Sequence, residues 1–126
     1  ETQIKAFSVY QEAMQAGIET VKAGVTAAQV AKAENDVFRK YGLGQYTTSE
    51  YTRVRGHGMG LFLDQKPQIL EDVNIELLDG MTVIVHPNTY HPDAGYMVLG
   101  DALVVRDSGH ELLCSLPRDL FSVNAA

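Results

Sequence analysis

The sequence contains a single cysteine, Cys114, and no tryptophan in 126 residues. One thiol cannot close an internal disulfide, so a reducing, cytoplasmic setting is expected. Basic runs are missing too: Arg53 and Arg55 are the only close pair of arginines, and the net charge is −6. So acidic a chain gains nothing from neutralising phosphates, which excludes nucleic acid as an expected partner. No apolar run reaches the roughly 18 residues of a membrane span, so no membrane partner is expected either. The start, Glu1-Thr2-Gln3, is polar and acidic and has no Met. It does not read as a signal peptide, and the chain is expected to be a fragment. Several catalytic signatures are absent: there is no P-loop, GxSxG elbow, HExxH helix or paired-cysteine zinc motif.

What remains is ordinary for one globular domain. Hydrophobic residues make up 45% and charged residues 21% of the chain, enough for a real core. Ile4, Phe7, Met14, Ile18 and Val21 fall at helical spacing, which predicts an amphipathic helix over 2–23 with Gly24 as its C-cap. Thr26-Ala-Ala-Gln29 matches a capping box, and opens a second helix whose buried face is Val30, Ala33, Val37, Phe38 and Tyr41. Gly42 and Gly44 end it.

The rest reads as extended chain. The Thr, Tyr and Val of 45–55 predict an extended segment. Arg55 to Gly60 reads as a glycine-rich turn, Leu61–Leu63 as a short strand, and 65–80 as a loop. Met81–Val85 predicts a buried strand stopped by Pro87, which cannot donate to a ladder. Tyr96–Leu99, Ala102–Arg106 and Glu111–Cys114 predict three more, the last two joined at Ser108-Gly109. Cys114 then falls in an apolar strand, as an inert core thiol. Two helices before a run of antiparallel strands predict an α+β fold with the helices on one face of the sheet.

Three places can carry chemistry. His57 stands between glycines, which permit close approach of a ligand to the backbone; it can be a ligand, a base or a turn residue. His86 is delivered to the end of a buried strand, where a side chain can be held rigidly, and His91 and Asp93 follow in a loop with two prolines. Asp64 lies seven residues after His57, as an active-site carboxylate or an exposed turn residue. His110 is assigned no role.

Taken in order, Gly56-His57-Gly58-Met59-Gly60, Pro67, Leu78-x-Gly80-Met81-Thr82, Pro87, Gly95 and Asp101 to Gly109 resemble the pita-bread family of methionine aminopeptidases, Xaa-Pro aminopeptidases, prolidases and creatinase. The resemblance spans nearly the whole chain. It implies the second, C-terminal half of a pita-bread domain over residues 1–126, two helices on a curved antiparallel sheet, with the N-terminal half lying outside this sequence. Metal-dependent members hold two divalent ions through two aspartates, a histidine and two glutamates. The histidine corresponds to His57. The first glutamate corresponds to His86, the second to Gly100, and a substrate-side histidine to Asp64. A glutamate can bridge two cations, an imidazole offers one nitrogen to one metal, and a glycine offers nothing.

The resemblance therefore points to the metal-free creatinase and ectoine hydrolase branch, with no cofactor. It implies hydrolysis of a C–N bond in a small amidine or amide. His57 and His86 would act as acid and base, and Asp64, Tyr90, His91 and Tyr96 would line the substrate pocket. A single divalent metal on His57 and His86 is the cofactor alternative. Two other readings stand beside this one: a divergent Xaa-Pro metallopeptidase acting on short peptides, and a non-catalytic peptide- or protein-binding module. A homodimer is expected, because half of such a domain leaves a sheet edge and an apolar face uncovered.

Overall fold

In a computed structural model, residues 1–123 are described. Helix α1 spans Thr2–Thr20 and α2 spans Ala27–Lys40. Seven strands follow: β1 Gly56–Gly58, β2 Gln65–Gln68, β3 Thr82–Val85, β4 Asn88–His91, β5 Gly95–Val98, β6 Asp101–Arg106 and β7 Gly109–Leu112. Five form an antiparallel sheet in the order β2-β1-β3-β6-β7, and β4 and β5 form a separate hairpin. The helices cover one face of the sheet, as the α+β reading predicts.

The capping box forms as expected. Thr26 Oγ1 accepts the Gln29 N–H at 3.3 Å, and Gln29 Oε1 accepts the Thr26 N–H at 2.9 Å. Helix α1 is shorter than predicted. Val21 is already extended, and Gly24 lies beyond it in the turn to α2 with φ +86°. Its buried stripe also differs. Ile4 is 62% exposed, and the packed face runs through Ala6, Tyr10, Ala13, Met14, Gly17 and Ile18. Small residues at 6, 13 and 17 let α1 approach its neighbours closely. A Cβ at Gly17 would lie 2.7 Å from Glu34 Cγ and 2.8 Å from Val85 Cγ1, so one glycine is the contact point of both helices and β3.

Five local expectations are corrected. The stretch 45–55 is not a strand: Gly44–Thr47 is a 3-10 turn. Thr47 and Thr48 donate their hydroxyls to the carbonyls of Gly44 and Gln45, and such local bonds compete with a ladder. The glycine-rich turn is instead strand β1, and the first residues of the predicted loop are β2. Gly56 has φ +149°, and a Cβ there would stand 2.1 Å from the Ile84 carbonyl. These glycines serve close strand approach rather than chain reversal. Leu61–Leu63 make the reversal, exposed by 89, 65 and 81%. Finally, Cys114 lies past the end of β7 and is exposed, so it is not a core thiol.

Side chains alternate along β3 and β6. Val83, Val85, Leu103 and Val105 are fully buried against Met14, Ile18, Val30 and Ala31. Ile84, between the valines, and Ala102 and Val104, on either side of Leu103, take the opposite face, which the helices leave open. Two charged residues are also fully buried, Glu34 on α2 and Arg55 just before β1. Neither Glu34 oxygen has a hydrogen-bond partner. Burial drives its carboxyl well above the usual glutamate range, and the attraction of Arg55 offsets this only in part.

Gly17→Ala is expected to destabilise the intact protein by about 1–3 kcal/mol through overpacking, despite alanine's better helix propensity. Chemical denaturation checks this, and an unchanged midpoint would mean that Glu34 and Val85 give way. For Glu34 the sign follows from its raised folded-state pKa. The folded state holds a proton that the unfolded chain releases, so stability falls as pH rises from the ordinary glutamate value through the elevated one. Glu34→Gln is expected to flatten that slope and stabilise the protein at neutral pH. Urea unfolding across pH measures it, and parallel profiles for variant and wild type would refute it.

Candidate functional site

The open face of the sheet carries the site. His57 pairs across β1 and β3 with Ile84, whose partner on β6 is Ala102, so His57 shares their uncovered side. His86 follows β3 directly, and its ring centroid lies 5.0 Å from that of His57 at an interplanar angle of 67°. Gly100, just before β6, makes room for it: a Cβ at 100 would stand 3.2 Å from His86 Cβ and 3.3 Å from Ile84 Cδ1. A side chain at 100 would therefore crowd the Cβ of His86 and the end of Ile84.

The two rings differ electrically. The His57 side chain is 13% exposed. Its Nδ1 lies 2.9 Å from the Gly58 carbonyl, a bond in which nitrogen donates, leaving Nε2 of the neutral ring as an acceptor. His86 Nδ1 is buried without a partner. Burial lowers the His86 pKa below the ordinary histidine value, and the nearby His57 and Arg55 lower it further. Asp64 Oδ1 stands 3.9 Å from His57 Nδ1, with its side chain 63% exposed. Gln68, opposite His57 in the β1–β2 register, donates to that oxygen at 3.2 Å.

The other expected site residues lie on the β4–β5 hairpin. Tyr90 is the centre of a tyrosine cluster, 5.6 Å from Tyr46, 5.7 Å from Tyr51 and 6.2 Å from Tyr96 between ring centroids. The Tyr96 hydroxyl and Thr52 Oγ1 are 2.8 Å apart. Tyr10 ties this hairpin to α1 by donating to the Thr89 carbonyl at 2.9 Å, and burial pushes its phenol up to about 12. His91 lines a groove of about 570 Å³ with Lys5, Val9, Leu43 and Asp93, and neither His57 nor His86 takes part in it. The structure therefore joins His57, His86 and Asp64, and places His91 in a separate hollow.

The donors of this half do not fit a carboxylate-bridged pair of divalent ions. Position 86 carries an imidazole and position 100 no side chain. Among the described residues, no three His, Cys, Asp or Glu side chains converge as a metal cluster. His57 and His86 alone supply two donors, fewer than the three protein ligands of a catalytic zinc.

Sequence reasoning missed two supporting residues, Arg55 and Gln68. An arginine set between Val54 and Gly56 was the available signal for the first. For Gln68 there was none, because its value comes from cross-strand register.

Known proteins share this architecture. The X-Pro aminopeptidase of Thermotoga maritima superposes with a TM-score of 0.88 at 25% identity, over 98% of this chain and 33% of that one, which supports the expected pita-bread fold. A probable dipeptidase, PepE, of Mycobacterium tuberculosis is 30% identical over 119 residues, 94% of this chain and 31% of its own length. The Xaa-Pro dipeptidase of Pyrococcus furiosus is 27% identical over 120 residues, 95% of this chain and 33% of its own. The chain thus spans about a third of the length of these relatives. These similarities favour peptidases over the creatinase-like branch expected from the altered ligand positions. No helix among the described residues is long and apolar enough to cross a membrane. The family model for metallopeptidase family M24 matches residues 1–107, and the chain belongs to that family of hydrolases.

Proposed function

We propose that the protein containing this chain hydrolyses the C–N bond of a short peptide, of the Xaa-Pro type on which its relatives are named. The observation that carries the reading is the His57–His86 pair, two imidazoles facing each other on the open face of an M24 sheet. A neutral imidazole can take a proton from water as its oxygen attacks the carbonyl carbon. The proton so gained can then pass to the leaving nitrogen, directly or by way of the second ring, which leaves both imidazoles neutral and releases an acid and an amine. His57, oriented by the Gly58 carbonyl, suits the first role through Nε2. Asp64, close to His57 and held by Gln68, suits orientation of the ring or of a substrate amine. Tyr90 and Tyr96 are proposed substrate contacts on the hairpin, and His91 a contact for substrate long enough to enter its groove.

A second reading is favoured by one observation. Positions 86 and 100 lack carboxylates, and the Cβ of His86 and the end of Ile84 lie close against Gly100. That donor set suits metal-independent hydrolysis of a small amide or amidine. In either case the sheet ends on β2 and β7 with one face open, which supports covering by further polypeptide or by a second copy in a homodimer.

The full-length protein should be assayed on Xaa-Pro and other dipeptides beside creatine-like amidines and cyclic amidines. Dipeptide hydrolysis is expected, and cleavage of amidines alone would replace the first reading by the second. His57→Ala and His86→Ala are each expected to lower kcat/KM about 10²–10⁴-fold; a fully active double variant would remove both from the mechanism. Elemental mass spectrometry of protein purified without chelator is expected to find fewer than two divalent ions per chain. Two equivalents would show that residues outside this chain rebuild a dinuclear site.

A further inference from the structure

We propose that Arg55 is a positioning residue for the histidine pair, gripping the turn that carries His86 at both of its ends. This rests on the reading of His57 and His86 as the acid and base. At one end, the His86 N–H donates to the Arg55 carbonyl at 3.0 Å. At the other, Arg55 Nη1 donates to the Asn88 carbonyl at 2.7 Å. Between them sits Pro87, which has no N–H to give. The β3 ladder stops at Val85, and the chain leaves the five-stranded sheet for the β4–β5 hairpin at this point. Asn88 already pairs with Val98 on β5, but His86 and Pro87 belong to neither ladder, and Arg55 holds them from both sides.

The same residue fixes the other histidine. Its backbone N–H donates to the Ile69 carbonyl at 2.8 Å, and His57 follows two residues later on β1. Its remaining side-chain bonds leave the guanidinium no freedom. Nε donates to Asn35 Oδ1 at 2.6 Å on α2, and Nη2 donates to the Thr52 carbonyl. The guanidinium carbon lies 5.3 Å from the centre of the Phe38 ring, and buried Glu34 faces it. One planar fork thus joins α2, the 52–55 segment and the turn bearing His86. A fully buried charge is costly, and a neutral residue of similar volume is often at least as stable. What a guanidinium adds is fixed, divergent donor geometry, which lysine lacks. Small misplacements of a catalytic group cost about 10²-fold in rate, so a rigid mount for His86 has a functional return.

The test uses the full-length protein with Arg55→Lys, Arg55→Ala and Asn35→Ala. Arg55→Lys is expected to keep the circular dichroism of the wild type and its KM, and to lose about 10–100-fold in kcat. Millimolar guanidinium is expected to restore part of the rate of Arg55→Ala and to leave the wild type unchanged. A substrate-free readout runs alongside: side-chain ¹H–¹⁵N spectra of protein labelled at histidine. In Arg55→Lys, the His86 and His57 resonances are expected to move, while those of His91 and His110 stay. Asn35→Ala, which keeps the guanidinium but removes one acceptor, is expected to move them less; it serves if the Arg55 variants do not fold. Unmoved His86 resonances in Arg55→Lys, or in a folded Asn35→Ala when that is the only usable variant, overturn the proposal. So does a kcat unchanged per folded molecule. If the wild type hydrolyses nothing, the functional reading fails by itself, and the spectra still decide whether Arg55 positions His86.

Discussion

The facing of β3 is the constraint on which the rest of this structure depends. Val83 and Val85 are buried against α1 and α2, and a strand's side chains alternate. Once those valines point inward, Ile84 and its cross-strand partners His57 and Ala102 must point outward. A one-residue slip of β3 would expose the valines, and one of β1 would bury His57. The inward direction is itself set by Gly17, whose missing side chain lets both helices and β3 meet. Core packing and site placement are consequences of the same contact.

Beneath the open face lies a polar layer unusual for its burial. Glu34 and Arg55 are both without solvent exposure, yet no hydrogen bond joins them. Arg55 spends its donors on Asn35 and on the carbonyls of Thr52 and Asn88. Burial pushes the Glu34 carboxyl well above the usual glutamate range, and the attraction of the nearby cation offsets this only in part. The pair forms no salt bridge by hydrogen bond: the guanidinium is spent on other partners, beside a carboxyl whose burial favours the protonated form.

Family membership and site chemistry pull in different directions, and the structure shows how both can hold. The relatives are dipeptidases and X-Pro peptidases, and the fold matches theirs closely. At the ligand positions, however, an imidazole stands at 86 and no side chain at 100, where the Cβ of His86 and the end of Ile84 pack close to the glycine. A fold preserves its scaffold through packing of helices on sheet, while the chemistry rests on a few outward side chains that packing does not specify.

Much of this was legible in the residues. Thr26 and Gln29 announced the second helix, because a capping box is a local hydrogen-bond pattern. The Met81–Val85 run announced β3, and the ordered glycines and prolines announced the family. His57 and His86 stood out as singular polar residues beside glycine and proline. Other features were not local. The glycines at 56 and 58 read as a turn because their task, close approach to Ile84 and Lys66 across two ladders, appears only when the strands pair. The threonines of 45–55 read as a strand because β propensity does not reveal hydroxyls bonding their own backbone. The burial of Arg55 and Glu34 had no local signal, because burial is a property of the assembled layers. The sequence by itself determined the two helices, strands β3, β5, β6 and β7, the family and the candidate histidines, since each depends on neighbours in the chain. Only the tertiary structure decided that those histidines face each other at 5.0 Å, that His91 does not join them, and that a buried arginine holds their turn. Those depend on contacts between residues distant in sequence, which no local pattern encodes.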